Sequence, residues 1–419
     1  MSAIWLAGSI FLFTYALIVS ERIHRTISAL LGGLAMIIFI IPQSVAFHSI
    51  DWNVIFLLAG MMIIANVLKE TGLFQWIAFQ AVRSGKGDPF RVLIILSLVT
   101  AVTSAFLDNV TIVILMAPVT LFVASSLRVN PIPFLIAEIL ASNIGGMATL
   151  IGDPPNILIG SAAGIDFLTF ATNMGPISIL ILAVFLALSK FLFLKDLVIH
   201  DEAVSEILQL DASALITKPK LLFKSLVVMT GVIIGFILHS ALHLEPATVA
   251  LTGATLLMLW SDTDPHQALR DIEWTTLFFF FGLFIMVEAV VEVGLIQMVA
   301  DYVLRLTGGN LALTSISLIW FSAFASGIVD NIPYTATMIP IVQSLGQVMP
   351  VGPLWWSLAL GADLGGNLTI VGAAANVVVV SLAEKSGHPI SFGLFLRYGI
   401  ITTFMSLSLA SLYVWIRYL

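Results

Sequence analysis

The chain has 419 residues, of which 59% are hydrophobic and only 10% charged, with a formal net charge of −7 and no cysteine. Soluble domains carry about 25% charged residues, so a mean hydropathy of +1.09 excludes an ordinary soluble protein and marks a polytopic membrane chain. Without cysteine there are no disulfides, thiolate metal ligands, thiol redox steps or S-acylation, and the seven scattered histidines lack carboxylates at ligand spacing, so neither a metal site nor a cofactor is expected.

Apolar runs of the length that crosses a bilayer as helix follow one another along the sequence. They are continuous rather than alternating, which excludes a β-barrel. The first, Ala3 to Ser20, has no preceding basic residue and no small-residue cleavage site, so it reads as a membrane helix and not a signal peptide. Crossings are expected at 3–20, 26–43, 53–69, 132–163 (broken) and 175–194. Residues 92–126 are too long for one helix and are cut at Leu107-Asp108-Asn109. They read as a re-entrant helical hairpin, tolerated in a membrane only where its tip is buried in protein or faces water.

The plan then repeats, with crossings at 225–241, 246–260 and 274–293, a hairpin at 311–346, a broken segment at 354–381 and a last crossing at 398–416. Ser104, Asp108, Asn109, Met116 and Pro118 recur 222 positions later as Ser326, Asp330, Asn331, Met338 and Pro340. Asp51-Trp52 and Gly72-Leu73 match Glu273-Trp274 and Gly294-Leu295 at the same offset. After the hairpins the offset is 220, aligning Asn143, Gly145, Gly146, Gly152 and Asn156 with Asp363, Gly365, Gly366, Gly372 and Asn376. The fold class expected is therefore all-α, two copies of five transmembrane helices (one broken) plus a re-entrant hairpin, at 1–195 and 224–419, joined by a linker at 196–223.

An odd number of crossings makes the second copy enter from the opposite face, so the repeats are expected to be inverted. Basic residues enrich cytoplasmic loops. With the N-terminus outside, all Lys and Arg but Arg305 and Arg417 fall on the cytoplasmic side. Both termini are thus expected outside and the linker inside. Val204, Ile207, Leu208 and Leu210 give the linker the pattern of a short amphipathic helix, whose plain role is to reconnect the copies, with docking of a cytosolic ATPase subunit as the alternative. A homodimer, contact with membrane lipid and no nucleic-acid partner complete the expected associations.

A carboxylate in the middle of a membrane helix costs about 2.5–3.5 kcal/mol and usually lines a pathway or relays protons. Asp108 and Asp330, each before an Asn at a helix break, fit that description, and each is also a good N-cap. Paired glycines and Pro-Pro interrupt the later crossings at 142–156 and 363–376. Asn143, Gly145, Gly146, Thr149, Asp153 and Asn156 from one copy, and Asp363, Asn367, Thr369 and Asn376 from the other, are expected to join Asp108, Asn109, Thr111, Asp330, Asn331 and Thr335 around one ion or solute site. Asp108, Asp153, Asp330 and Asp363 are the candidate proton carriers. Glu70 and Glu292 read as interfacial, whereas Glu138 and Glu288 are either relay groups or acids bonded to a neighbouring helix. The copies are not identical: Thr111 aligns with Pro333, Asn143 with Asp363 and Asp153 with Ala373. No phosphate-binding loop occurs, so an ion gradient or an external subunit must supply energy.

The segments FLDNVTIVILMAPVT, EILASNIGGMATLIGDPPNILIGSAAG, IVDNIPYTATMIPIV and GADLGGNLTIVGAAANVV resemble the ion transporter superfamily. Within it, they are similar to the branch of arsenite permeases, certain bacterial sodium/proton antiporters and the melanosomal P protein, and most of all to bacterial arsenite efflux permeases. The resemblance implies a scaffold and a transport domain in each copy, with hairpin tips and unwound helices forming the site. Sodium-coupled dicarboxylate relatives carry Ser-Asn-Thr at the tips; here Asp-Asn stands in place of Ser-Asn. With no midplane Arg or Lys expected, a di- or tricarboxylate is disfavoured, and a neutral hydroxide such as As(OH)3 or Sb(OH)3, or a small cation, is favoured. The implied function is secondary transport, not enzymatic catalysis: arsenite or antimonite export in exchange for protons from a bacterial inner membrane, with sodium/proton antiport as the alternative.

Overall fold

The computed structural model describes residues 2–20, 22–194, 197, 215–261 and 263–419. Among them are twenty α-helices and no strand. The first ten are α1 (Ser2–Ser20), α2 (Arg25–Phe39), α3 (Gln43–His48), α4 (Trp52–Lys69), α5 (Leu73–Ser84), α6 (Pro89–Ser104), α7 (Asn109–Ser126), α8 (Ile132–Gly146), α9 (Pro154–Ala163) and α10 (Phe167–Phe193). The second ten follow the same order: α11 (Pro219–Leu238), α12 (Pro246–Ser261), α13 (Pro265–Arg270), α14 (Trp274–Glu292), α15 (Leu295–Thr307), α16 (Leu311–Val329), α17 (Asn331–Leu345), α18 (Gly352–Gly365), α19 (Ala374–Lys385) and α20 (Phe392–Tyr418). Each helix of the first set thus has a counterpart ten places on. The linker residues Val204, Ile207, Leu208 and Leu210 lie outside the described residues.

Among the described residues, eight helices are long and apolar enough to cross a membrane: α1, α4, α7, α10, α11, α14, α16 and α20. The second crossing, expected at 26–43, stops at Phe39 because Pro42, with φ −61°, opens α3. The last crossings of the two copies begin earlier than expected, at Phe167 and Phe392, where Asp166 and Ser391 cap the first turn. Composition hid these starts, because polar residues in the capped turns dilute the apolar signal. Helices α5 and α15 are also additions to the expected plan. Each follows a glycine at positive φ, Gly72 at 81° and Gly294 at 80°, a conformation open to glycine without steric penalty.

The copies interlock through small residues. A Cβ on Gly60 of α4 would stand 2.8 Å from Ala250 of α12, and one on its counterpart Gly282 of α14 would stand 2.4 Å from Ala29 of α2. Close backbone approach at small residues is a means by which apolar helices associate where lipid offers no hydrophobic drive. The same device joins each hairpin to its broken crossing: Cβ atoms on Gly145 and Gly365 would lie 2.1 Å and 2.4 Å from the carbonyls of Ala101 and Ala323. The two hairpins and the two broken crossings meet in the middle, with α9 against α17 and α18, and α19 against α7 and α8.

Candidate functional site

Both hairpin tips are built on the N-capping chemistry of aspartate. Asp108 Oδ1 accepts from the Val110 and Thr111 amides at 3.0 and 3.2 Å, and the Thr111 hydroxyl donates to Oδ2. Asp330 Oδ1 accepts from the Ile332 amide at 2.9 Å. The tips differ in backbone: Asp108 has φ −58° but Asp330 has φ 86° and ψ 139°, a region that strains any residue with a side chain. They also differ in partner. Arg25 at the start of α2 reaches Asp330 Oδ2 with Nη1 at 3.2 Å while its guanidinium lies 5.5 Å over the Phe279 ring. A cavity of about 280 Å³ opens beside this pair, lined by Ile23, His24, Ala374, Val377 and Val378. The expectation of no midplane Arg or Lys did not consider a cation at the second tip, which the tertiary fold brings from 305 residues away.

The breaks between α8 and α9 and between α18 and α19 expose backbone groups that a helix would pair. Asn156 Nδ2 donates to the carbonyls of Gly146 and Thr149 at 3.4 and 3.2 Å, and Asn376 Nδ2 to those of Gly366 and Thr369 at 2.6 and 2.9 Å. Thr149 and Thr369, expected to aim at the solute, instead donate to the hairpin carbonyls of Ala105 and Gly327. Their hydroxyls tie the break to the hairpin. Gly145 and Gly146 likewise serve close approach, to Ala101 and Gly152, and Thr111 belongs to the cap.

Between these frames lies a buried cluster of amides and acids. Asn109 of the first tip donates to Asp153 Oδ2 at 2.7 Å, and Asn331 of the second tip reaches Asp153 Oδ1 and Oδ2 at 3.2 and 3.3 Å. Both tips thus converge on one carboxylate that is 1% exposed. Asn109 also approaches Asn143 Oδ1 at 3.3 Å; Asn143 Nδ2 donates to Asn367 Oδ1 at 3.0 Å and Asn376 Oδ1 at 3.1 Å. Asp363 is fully buried and its two oxygens make no hydrogen bond of ordinary geometry; its polar neighbour is Asn156. Asp153 lies within electrostatic reach of Asp363, Asp330 and Asp108. Thr335 is buried with its hydroxyl unbonded.

The structure therefore brings together Asn109, Asn143, Asp153, Asn156, Asn331, Asp363, Asn367 and Asn376, and uses Asp108 and Asp330 as caps of the tip helices. Glu138 is an acid bonded to a neighbouring helix, accepting from the Thr120 hydroxyl at 2.6 Å, and Glu70 pairs with Lys218 at 2.6 Å. Sequence reading missed Tyr15, whose hydroxyl donates to the Pro333 carbonyl at 2.8 Å and lies 2.5 Å from Thr337 Oγ1. It also treated Arg25 only as a charge at a membrane face. The one signal available was their place, Tyr15 within the first crossing and Arg25 just beyond it.

The CitMHS family, described as "Citrate transporter", matches residues 15–361. An uncharacterized transporter of Mycobacterium tuberculosis is 45% identical over 98% of this chain and 98% of its own length, and a 46 kDa membrane protein of Mycobacterium leprae is 46% identical over 99% of each. The human P protein is 34% identical over 94% of this chain, which spans 57% of that protein. The crystal structure of the Alcanivorax borkumensis YdaH transporter shares the fold, with a TM-score of 0.59, 13% identity and 98% coverage of both chains. By these matches the chain is a membrane transporter that belongs to the CitMHS citrate transporter family, within the ion transporter superfamily.

Proposed function

We propose that the chain is a secondary transporter that exports arsenite or antimonite, as neutral hydroxides, in exchange for protons. The observation that carries this reading is the convergence of both tip amides, Asn109 and Asn331, on the buried carboxylate Asp153. A solute with several O–H groups can donate to Asp153 and to the Asn oxygens while accepting from the Asn amides. It would stand in for the tip-to-Asp153 bonds, so that neither the tip amides nor Asp153 need be left unpaired. A tricarboxylate entering the same centre would meet Asp153 and Asp363, and the cation beside the tips, Arg25, is already held by Asp330.

Sodium/proton antiport is the second reading, favoured by the unbonded carboxylate oxygens of Asp363, which suit an oxygen-binding cation. In either case the two copies, 1–195 and 224–419, are proposed to be inverted in a bacterial inner membrane with both termini outside. Everted vesicles under an imposed proton gradient separate the readings. Arsenite accumulation that collapses with a protonophore, without sodium-dependent proton movement, supports export; sodium-dependent proton movement without arsenite uptake overturns it.

A further inference from the structure

One of the places where the two copies part company is the position of Asn143, which Asp363 occupies in the second copy. In one pair, Asn376 gives both amide hydrogens to the carbonyls of Gly366 and Thr369, which turns its Oδ1 inward to accept from Asn143 Nδ2 at 3.1 Å. Its counterpart Asn156, 220 positions earlier, is held by the same bonds, to Gly146 and Thr149. Here, however, the residue in the place of Asn143 is Asp363. An ionised carboxylate has no hydrogen to give. Asn156 Oδ1 and both Asp363 oxygens are consequently left without a hydrogen bond, although both residues are 0% exposed.

Turning the Asn156 amide over does not resolve this, because its oxygen would then confront two backbone carbonyls. Buried acceptors without donors are rare. One hydrogen on Asp363 removes the conflict, since an acid O–H directed at Asn156 Oδ1 reproduces the N–H of Asn143 directed at Asn376 Oδ1. The ionisable group that faces Asp363 from the packed elements, among the described residues, is Asp153 at the start of α9; it is satisfied by the tip amides and gives Asp363 no hydrogen.

We propose that Asp363 holds one exchangeable proton, donated to Asn156 Oδ1, and that this acid–amide pair is the proton-coupling site of the transporter. Binding converts the carboxylate to the acid and seals the pair; release returns the proton to water once Asn156 and the α8–α9 break move away. The coupling role rests on the proton-exchange reading above, whereas the position of the proton rests on the hydrogen-bond geometry alone.

Infrared difference spectroscopy of the purified full-length protein at neutral pH tests it without a transport assay. The C=O stretch of a protonated carboxyl is expected in wild type, lost in Asp363→Asn and retained in Asp153→Asn; any contribution of Glu138 is common to all three. Asp363→Asn is also expected to melt no lower than wild type, because it recreates the Asn143–Asn376 pair. A band unchanged in Asp363→Asn, or a lower melting temperature for that variant, overturns the proposal. So does a sodium-induced rise in melting temperature that Asp363→Asn abolishes, which would put a metal cation at the same oxygens. Failure of arsenite transport would leave the infrared result standing, so the two readings fail separately.

Discussion

Asp153 is the residue on which the site turns, and its surroundings state what a substitution should do. A hydrogen bond contributes about 0.5–1.5 kcal/mol net, and Asp153 receives such bonds from both tips. Asp153→Asn is therefore expected to lower the initial transport rate by at least about tenfold in vesicles. Thr149→Ser, which keeps the hydroxyl that ties the break to Ala105, should stay near wild type. Arg25 and Asp330 make a different prediction. Their side chains are 31% and 14% exposed, so the pair is part-buried and contributes more than the roughly 0–1 kcal/mol of an exposed one; Arg25→Gln should lower both the melting temperature and the transport rate. If the two act as a pair, Arg25→Gln with Asp330→Asn should be no more impaired than either alone, the non-additivity expected of contacting residues.

At the scale of the element, the hairpins and broken crossings were legible because their grammar is local. An Asp-Asn step in an apolar run, paired glycines and Pro-Pro each restrict the backbone within a few residues, and caps formed at Asp108 and Asp330 where the sequence placed them. The roles of Thr149 and Thr369 were not legible, since a threonine near a break can turn to a solute or to a neighbouring carbonyl and only packing selects between them. Packing also makes the glycines testable. Gly145→Ala and Gly365→Ala push a Cβ to 2.1 and 2.4 Å from a carbonyl oxygen, and overpacking of this kind costs about 1–3 kcal/mol. Both should lower the melting temperature, whereas Gly231→Ala, with nothing within 4 Å, should hold or raise it. The strained tip adds a contrast: Asp330→Gly loses a cap worth about 1 kcal/mol but relieves the positive φ, so it should destabilise less than Asp108→Gly, which loses the cap with no strain to relieve.

For the whole molecule, the proposed inversion sets labelling expectations that the absence of cysteine makes clean. In intact cells a membrane-impermeant maleimide should reach Arg305→Cys but not Arg128→Cys or Lys385→Cys, and everted vesicles should show the reverse. Labelling of all three from one face would overturn the proposed orientation.

The sequence by itself determined the class, the repeat and the elements: bilayer-length apolar runs, two copies in register at 222 and then 220 positions, and breaks at the same places in each. These are properties of short windows, where propensity and pattern act. The tertiary structure decided which of the polar groups are spent on the frame and which converge. Asp153 joins tips 44 and 178 residues away, Asn143 meets Asn376 at 233, and Tyr15 reaches Pro333 at 318. No local rule carries a bond over such separations; it follows from how helices of the two copies pack, and that packing turned a list of candidate oxygens into one satisfied carboxylate and one that lacks a donor.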